Sequence, residues 1–133
     1  MSQENIAIVQ SFYDAMSRGD VGTLLGLLDP KIEWNEAEHF VYADKSPYIG
    51  TDNLLNGLFM RLMTEWEGFK AIPEKIIGTG DTVAAMGRYH GTYRETGKAV
   101  NAQVVHVYTI ADGKIVRFQQ YTDTAQFRDA TTA

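Results

Sequence analysis

A chain of 133 residues, 44% of them hydrophobic and 22% charged, is expected to form a single domain over residues 1–133 with a core of its own. The absence of cysteine excludes a disulfide scaffold, a thiolate nucleophile and Cys-based metal sites, and the net charge of −5 argues against nucleic-acid binding. No apolar stretch reaches the roughly 20 residues that cross a membrane, and the N-terminus lacks a signal-peptide pattern, so we expect a soluble cytoplasmic protein without membrane contact.

Helical periodicity occupies the first part of the sequence. Apolar residues three and four positions apart predict a helix that Ser2 can cap and that ends at Arg18-Gly19, and Asp20 can cap a short second helix. Asp29-Pro30 is then expected to break the chain, because the residue before a proline is pushed out of the helical region. A brief strand follows over residues 31–35.

The next segment, residues 35–50, is polar and aromatic and has no clear period. A loop of this length in a compact domain is typical of a lid or a binding loop, and an irregular surface segment is the alternative. Thr51 can cap a third helix over 52–66, whose broad apolar face predicts burial in the core.

After Gly68 the pattern becomes that of β-strands. Alternating runs predict strands over 70–77, 82–94, 98–110 and 115–122, and the links between them are short enough to require antiparallel pairing. Helices followed by a meander of strands indicate an α+β fold, in which a curved antiparallel sheet of about five strands wraps as a cone around three N-terminal-half helices. The mouth of such a cone is a natural ligand site.

The last hairpin carries the most informative residue. Asp112-Gly113 separates its two strands and favours a type I′ turn, which requires positive φ at both central residues. Because the side chains of a strand alternate between faces, His106 lies in the middle of a face that is otherwise apolar. The imidazole is therefore either a hydrogen-bonded core residue or the working group of a pocket.

The chain as a whole resembles the SnoaL-like, ketosteroid-isomerase-related proteins of the nuclear transport factor 2-like superfamily. The resemblance covers about residues 5–127 and rests on the segments FYDAMSRGD, LLDP, IEW, VAAMGRYHGTYRETGK and VVHVYTIADGKIVRFQQYTDTA. It implies a cystatin-like, cone-shaped α+β barrel with a deep pocket, and a homodimer formed through the sheet. Members of this superfamily include isomerases, cyclases, dehydratases and binding domains, so the fold alone does not settle the function.

When the sequence is compared with these relatives residue by residue, the catalytic residues of ketosteroid isomerase and of the SnoaL-type cyclases are not all present. It places His106 where ketosteroid isomerase holds a protonated Asp and Tyr13 near the oxyanion-hole Tyr, but Trp34 stands near the place of the Asp base. SnoaL-type cyclases need an acid/base carboxylate on the last strand, and the inward position there is Gln120, with Asp123 three residues later. Glutamine cannot transfer a proton at neutral pH.

Another carboxylate candidate follows Trp34 by two residues. If the strand continues, Glu36 shares the face of Trp34, and an aromatic pocket would raise its pKa toward neutrality; an exposed glutamate at a strand end is the alternative. The candidate catalytic residues are His106, Glu36 and Asp123. The candidate substrate-binding residues are Tyr13, Trp34, Tyr48, Met63, Tyr108 and Gln120. No metal site and no cofactor are expected.

The sequence thus supports a hypothesis of proton-transfer chemistry, of the isomerase or lyase type, on a small hydrophobic carbonyl compound. Two alternatives remain open: a non-catalytic ligand-binding protein of the same fold, and a dimeric interaction domain.

Overall fold

The computed structural model describes residues 2–133 and combines short helices with one sheet. The helices are α1 (Ser2–Arg18), α2 (Val21–Gly26), α3 (Thr51–Leu54), α4 (Met60–Glu65) and α5 (Thr124–Ala130), with a 3-10 turn at Ala43–Lys45 and a π-helical turn at Leu55–Phe59. The strands are β1 (Leu28–Asn35), β2 (Tyr48–Ile49), β3 (Trp66–Thr79), β4 (Thr82–Tyr93), β5 (Ala99–Ala111) and β6 (Lys114–Thr122). The predicted α+β class is confirmed.

The sheet has six strands in the order β2-β1-β6-β5-β4-β3. Strands β3 to β6 form the predicted antiparallel meander. Strand β1 joins the sheet in parallel beside β6, and β2, from the segment expected to be a loop, pairs antiparallel with β1. Asp112 and Gly113 have φ of 51° and 77°, as the predicted type I′ turn requires.

Three of the predicted features of the first two helices are present. Val9, Phe12 and Tyr13 lie buried on one side of α1, which packs against β3 and β4. The chain leaves this helix at Gly19, whose φ of 67° suits a residue without Cβ. Asp20 caps α2, since its carboxylate accepts a hydrogen bond from the Thr23 amide at 3.1 Å.

The boundaries of two elements differ from the prediction. Asp29-Pro30 does not interrupt the chain but lies inside β1. The register of β1 against β6 shifts at this point, so the missing N–H of the proline breaks no regular hydrogen bond of the sheet. Thr51 is the first residue of α3 and not its cap; Gly50 occupies that position, and no side chain caps this helix. The helical run ends at Glu65, because Trp66 is already extended and begins β3.

Helix α5 was not predicted. Asp123 caps it by accepting from the Gln126 amide, and Phe127 is fully buried among the aromatic rings of the core. Within residues 2–133, none of the helices combines the length and the apolar character that crossing a bilayer requires.

Candidate functional site

A cavity of about 330 Å³ lies between the helices and the inner face of the sheet. Its walls are mainly apolar and aromatic, and they include Phe12, Trp34, Phe40, Leu58, Phe59, Tyr108 and Phe118. Three polar residues of its lining are buried, namely Glu36, His106 and Gln120. The exposed lining residues Met63, Gly68 and Arg94 mark the mouth. A largely apolar cavity with a few convergent polar groups is the usual form of a small-molecule site.

Glu36 is the one buried carboxyl among the described residues, with 8% of its surface exposed. It directly follows β1, and its backbone N–H donates to the Ser46 hydroxyl at 3.0 Å, which fixes this end of the strand. No donor within residues 2–133 meets its carboxyl oxygens at ordinary hydrogen-bond geometry, although the Trp34 indole N–H lies near enough to favour the charged form. Burial raises the pKa of Glu36 from 4.5 to about 8, and the neighbouring Trp34 indole N–H offsets a smaller part of that rise. Glu36 can therefore hold or release a proton near neutral pH.

His106 has both ring nitrogens occupied. The Tyr13 hydroxyl lies 2.6 Å from Nδ1 and the Tyr89 hydroxyl lies 2.5 Å from Nε2. Burial lowers the pKa of His106 from 6.5 to about 3, so the ring is neutral at physiological pH. A neutral imidazole held between two phenols has no free nitrogen with which to reach a ligand, although it lies in the cavity wall.

Gln120 fixes the other side of this network. It pairs with His106 across β5 and β6, and its amide oxygen accepts from the Ala37 N–H at 3.0 Å. That bond orients the amide, so its nitrogen donates to the Tyr89 hydroxyl at 2.8 Å. Gln120 thus connects the segment after β1 to the tyrosine on β4.

The structure brings together most of the residues that the sequence indicates. Trp34, Glu36, Tyr108, Gln120 and His106 line the cavity, and Met63 lies at its mouth.

Three candidate residues lie elsewhere. Tyr13 does not line the cavity but lies behind His106. Tyr48 is turned away, with its hydroxyl donating to the Tyr42 carbonyl at 2.6 Å. Asp123 does not line the cavity. Its carboxylate accepts hydrogen bonds from the backbone and side-chain N–H groups of Gln126 and caps α5. No three His, Asp or Glu side chains in the described part of the chain converge as a metal site would need.

Tyr89 is the residue that sequence reasoning missed. The alternation along β4 leaves open whether the face of Tyr89 or that of Arg88 and His90 points inward. The signal that could have decided it is the register with β5, since Tyr89 lies opposite the fully buried Ala102.

Another unused polar group lies in the same wall. The indole Nε1 of Trp34 is buried and has no partner at ordinary hydrogen-bond geometry among the described residues, and the nearby Glu36 carboxyl is only weakly influenced by it. The Trp34 ring stacks on Phe118 with centroids 3.6 Å apart, so it is held rigidly beside Glu36. An unpaired buried donor costs free energy, and a ligand oxygen would remove that cost.

Comparisons with known proteins agree with this architecture. Residues 9–118 match the SnoaL-like domain. A crystal structure of an NTF2-like protein from Burkholderia thailandensis E264 has 36% identity and a TM-score of 0.92, covering 100% of this chain and 99% of that one. An NTF2-like protein of unknown function from Burkholderia pseudomallei K96243 has 25% identity and a TM-score of 0.89, with both chains covered in full, 100% each.

A more distant structure shares the fold. TerC, co-crystallised with polyporic acid, has 23% identity and a TM-score of 0.84, covering 96% of this chain and 97% of that one. No protein among the curated sequences matches this chain. Because the match to the SnoaL-like domain spans most of the sequence, the chain belongs to the SnoaL-like family of the nuclear transport factor 2-like superfamily.

Proposed function

We propose that the cavity binds a small hydrophobic carbonyl compound and that Glu36 transfers a proton on it, as an isomerase or lyase that needs no cofactor. The observation that carries this proposal is the Glu36 carboxyl itself. It is buried, it meets no donor within residues 2–133 at ordinary hydrogen-bond geometry, and its pKa is raised to about 8 at the wall of an apolar cavity. A general acid or base is most effective when its pKa lies near the working pH.

The surrounding groups suit a carbonyl substrate. Glu36 in its charged form would take a proton from the carbon next to the carbonyl, and in its neutral form would return one to the rearranged product. The indole N–H of Trp34, which meets no acceptor at ordinary hydrogen-bond geometry, would donate a hydrogen bond to the oxygen on which charge develops. The aromatic walls would hold the carbon skeleton and exclude water, which strengthens both interactions.

His106 and Asp123 have other roles in this proposal. His106 is neutral and engaged on both sides, so we assign to it the positioning of its tyrosine partners and not proton transfer. Asp123 stabilises helix α5. Glu36 is then left as the proton-transfer group.

Deuterium incorporation tests the proposal without knowledge of the natural substrate. 2-Tetralone in D2O would be incubated with the wild-type protein, and exchange at the carbon next to the carbonyl would be followed by proton NMR. We expect catalysed exchange that falls by about 100-fold or more in Glu36→Gln, in line with the contribution of general acid–base groups. The control is Glu38→Gln, an exposed glutamate two residues away, which should exchange like wild type. Equal rates for wild type and Glu36→Gln would refute the assignment.

A non-catalytic ligand-binding protein is the second candidate. It is favoured by the fact that His106 and Gln120 have their polar atoms engaged within the protein, which leaves few groups for chemistry. Under this alternative 2-tetralone binds with measurable affinity but shows no exchange above the buffer rate, in wild type and in Glu36→Gln alike.

We also propose that two copies of the chain associate through the outer face of the sheet. Met86, Val105 and Tyr121 are aligned across β4, β5 and β6 by the strand register, on the face opposite Ala85, His106 and Gln120. Tyr121 is 57% exposed there. Light scattering after size-exclusion chromatography should give twice the monomer mass, and Val105→Asp should give the monomer. A monomeric wild-type protein would refute this association.

A further inference from the structure

The hydroxyl groups around His106 form a chain whose hydrogens can be counted. Tyr108 donates to the Tyr13 hydroxyl at 2.8 Å, Tyr13 meets His106 Nδ1, and His106 Nε2 meets Tyr89. These groups hold four hydrogens, since a neutral imidazole carries one N–H and each phenol carries one O–H. They share three links. One hydroxyl hydrogen is therefore left over.

The surroundings decide which hydroxyl keeps that hydrogen. If Tyr89 donates to Nε2, the imidazole N–H lies on Nδ1 and points at the Tyr13 oxygen, to which Tyr108 also donates. The spare hydrogen then belongs to Tyr13, which is buried outside the cavity lining and has no acceptor for it within residues 2–133. If instead Tyr108 donates to Tyr13 and Tyr13 donates to Nδ1, the imidazole N–H lies on Nε2 and points at the Tyr89 oxygen. The spare hydrogen then belongs to Tyr89, whose side chain lines the cavity.

Two neighbours surround the Tyr89 hydroxyl in this second arrangement. The Gln120 amide nitrogen, already fixed by the Ala37 N–H, donates to the Tyr89 oxygen. The Glu36 carboxyl is close enough that its charge raises the pKa of Tyr89, after the larger effect of burial. In this arrangement the His106 and Gln120 N–H groups both donate to the Tyr89 oxygen, and the hydroxyl hydrogen of Tyr89 is left for the cavity.

We propose that Tyr89 donates a hydrogen bond from its hydroxyl to the ligand, and that His106 is the positioning residue that frees this donor by holding Nε2–H on the Tyr89 oxygen. The inference rests on the proposed function, because it concerns the same cavity. The ligand chemistry follows from this donor. The ligand oxygen next to Tyr89 accepts a hydrogen bond and does not donate one, as in a ketone, a quinone or an enolate. A protonated amine would fit less well between Tyr89 and Trp34, because it has no lone pair with which to accept their O–H and N–H.

The tautomer of His106 tests the first half of this inference and needs no ligand. Long-range 15N–1H NMR of 15N-histidine-labelled wild-type protein distinguishes a protonated from an unprotonated ring nitrogen, and His106→Asn identifies the resonances. We expect Nε2 protonated and Nδ1 unprotonated. The opposite tautomer would overturn the inference, because the Tyr89 hydrogen would then be used on Nε2.

The carbonyl stretch of a bound ketone tests the second half. The probe is 2-acetonaphthone labelled with 13C at its carbonyl, and its infrared band moves to lower frequency for each hydrogen bond the oxygen accepts. In Tyr89→Phe we expect the band to move back to higher frequency and the affinity to fall by about threefold to tenfold. Tyr93→Phe is the matched control, since Tyr93 lies on the same strand outside the cavity lining.

A second probe separates a lost hydrogen bond from a damaged cavity. 2-Ethylnaphthalene has nearly the same shape but no oxygen, so Tyr89→Phe should leave its affinity unchanged. Equal weakening of both probes, or an unmoved carbonyl band, would overturn the inference. Neither outcome depends on Glu36, so the proposed proton transfer can fail while this assignment stands, and the reverse also holds.

Discussion

Burial of Glu36 should make the stability of the protein depend on pH in a defined window. Its pKa is 4.5 in an unfolded chain and about 8 in the folded protein. Below pH 4.5 the carboxyl is protonated in both states and has no effect on stability. Between pH 4.5 and about 8 the folded protein keeps a proton that the unfolded chain has released, so the free energy of unfolding falls as pH rises.

The size of this effect follows from the shift. One pKa unit is worth about 1.4 kcal/mol, so a rise from 4.5 to about 8 corresponds to about 5 kcal/mol once the pH exceeds 8. Relaxation and water penetration generally reduce the cost of a buried charge in proteins, so we expect about 2 to 5 kcal/mol. Glu36→Gln keeps the shape and removes the titration, so this loss should be absent from it.

Urea unfolding at pH 5, 7 and 9, followed by tryptophan fluorescence at one protein concentration, measures the difference. The free energy of unfolding of Glu36→Gln minus that of wild type should increase steadily with pH. At acid pH the unfolded chain protonates His106 while the folded protein does not, because burial lowers the pKa of His106. This destabilises both proteins equally, so the effect cancels in the difference. Glu38→Gln should follow wild type at every pH. A Glu36→Gln difference that stays constant within about 0.5 kcal/mol from pH 5 to 9 would refute the reasoning.

Two further predictions concern the scaffold around the site. A Cβ at Gly57 would lie 2.8 Å from the ring of the buried, hydrogen-bonded Tyr48, so Gly57→Ala should lower the free energy of unfolding by about 1 to 3 kcal/mol in urea titrations. Gly22 in α2 has room for a Cβ, with its nearest neighbour at 3.9 Å, so Gly22→Ala should instead stabilise by up to about 1 kcal/mol; the same sign for both would contradict this packing. Asp123→Ala should cost about 1 kcal/mol through the lost helix cap and leave deuterium exchange of 2-tetralone unchanged, whereas a large loss of exchange at normal stability would return Asp123 to the catalytic residues.

Local patterns in the sequence were sufficient to predict much of this fold. The four strands after Gly68 and their antiparallel order follow from alternation and from turn residues that act over a few positions. The same reasoning identified the inward face of His106, because a strand of period two fixes which side chains lie together. These features depend on interactions between near neighbours.

Features that depend on distant pairing were not predictable in this way. The parallel contact of β1 with β6 joins residues far apart in sequence, and Pro30 lies within β1 only because the register shifts at that point.

Helix α5 was missed although it carried a local signal. An Asp with a Gln three residues later and an apolar Phe127 beyond them resembles a helix start.

The candidate site shows the same division. Glu36 was a candidate because it follows Trp34 by two residues and would share its face if the strand continued; the strand ends at Asn35, yet Glu36 still lines the cavity beside Trp34. The role of His106 could not be read from its own strand, since its partners Tyr13 and Tyr89 come from α1 and β4. Hydrogen-bond partners contributed by other elements decide whether a buried imidazole is a base or a structural link.

The most direct test of the account is the titration of the Glu36 carboxyl. In protein labelled with 13C-glutamate, the side-chain carboxyl resonance that is missing in Glu36→Gln would be followed from pH 4 to pH 10. We expect a midpoint near 8, because the carboxyl is buried at the wall of an apolar cavity. A midpoint near 4.5 would show that Glu36 is charged and solvated at neutral pH, and would contradict its role as the proton-transfer group.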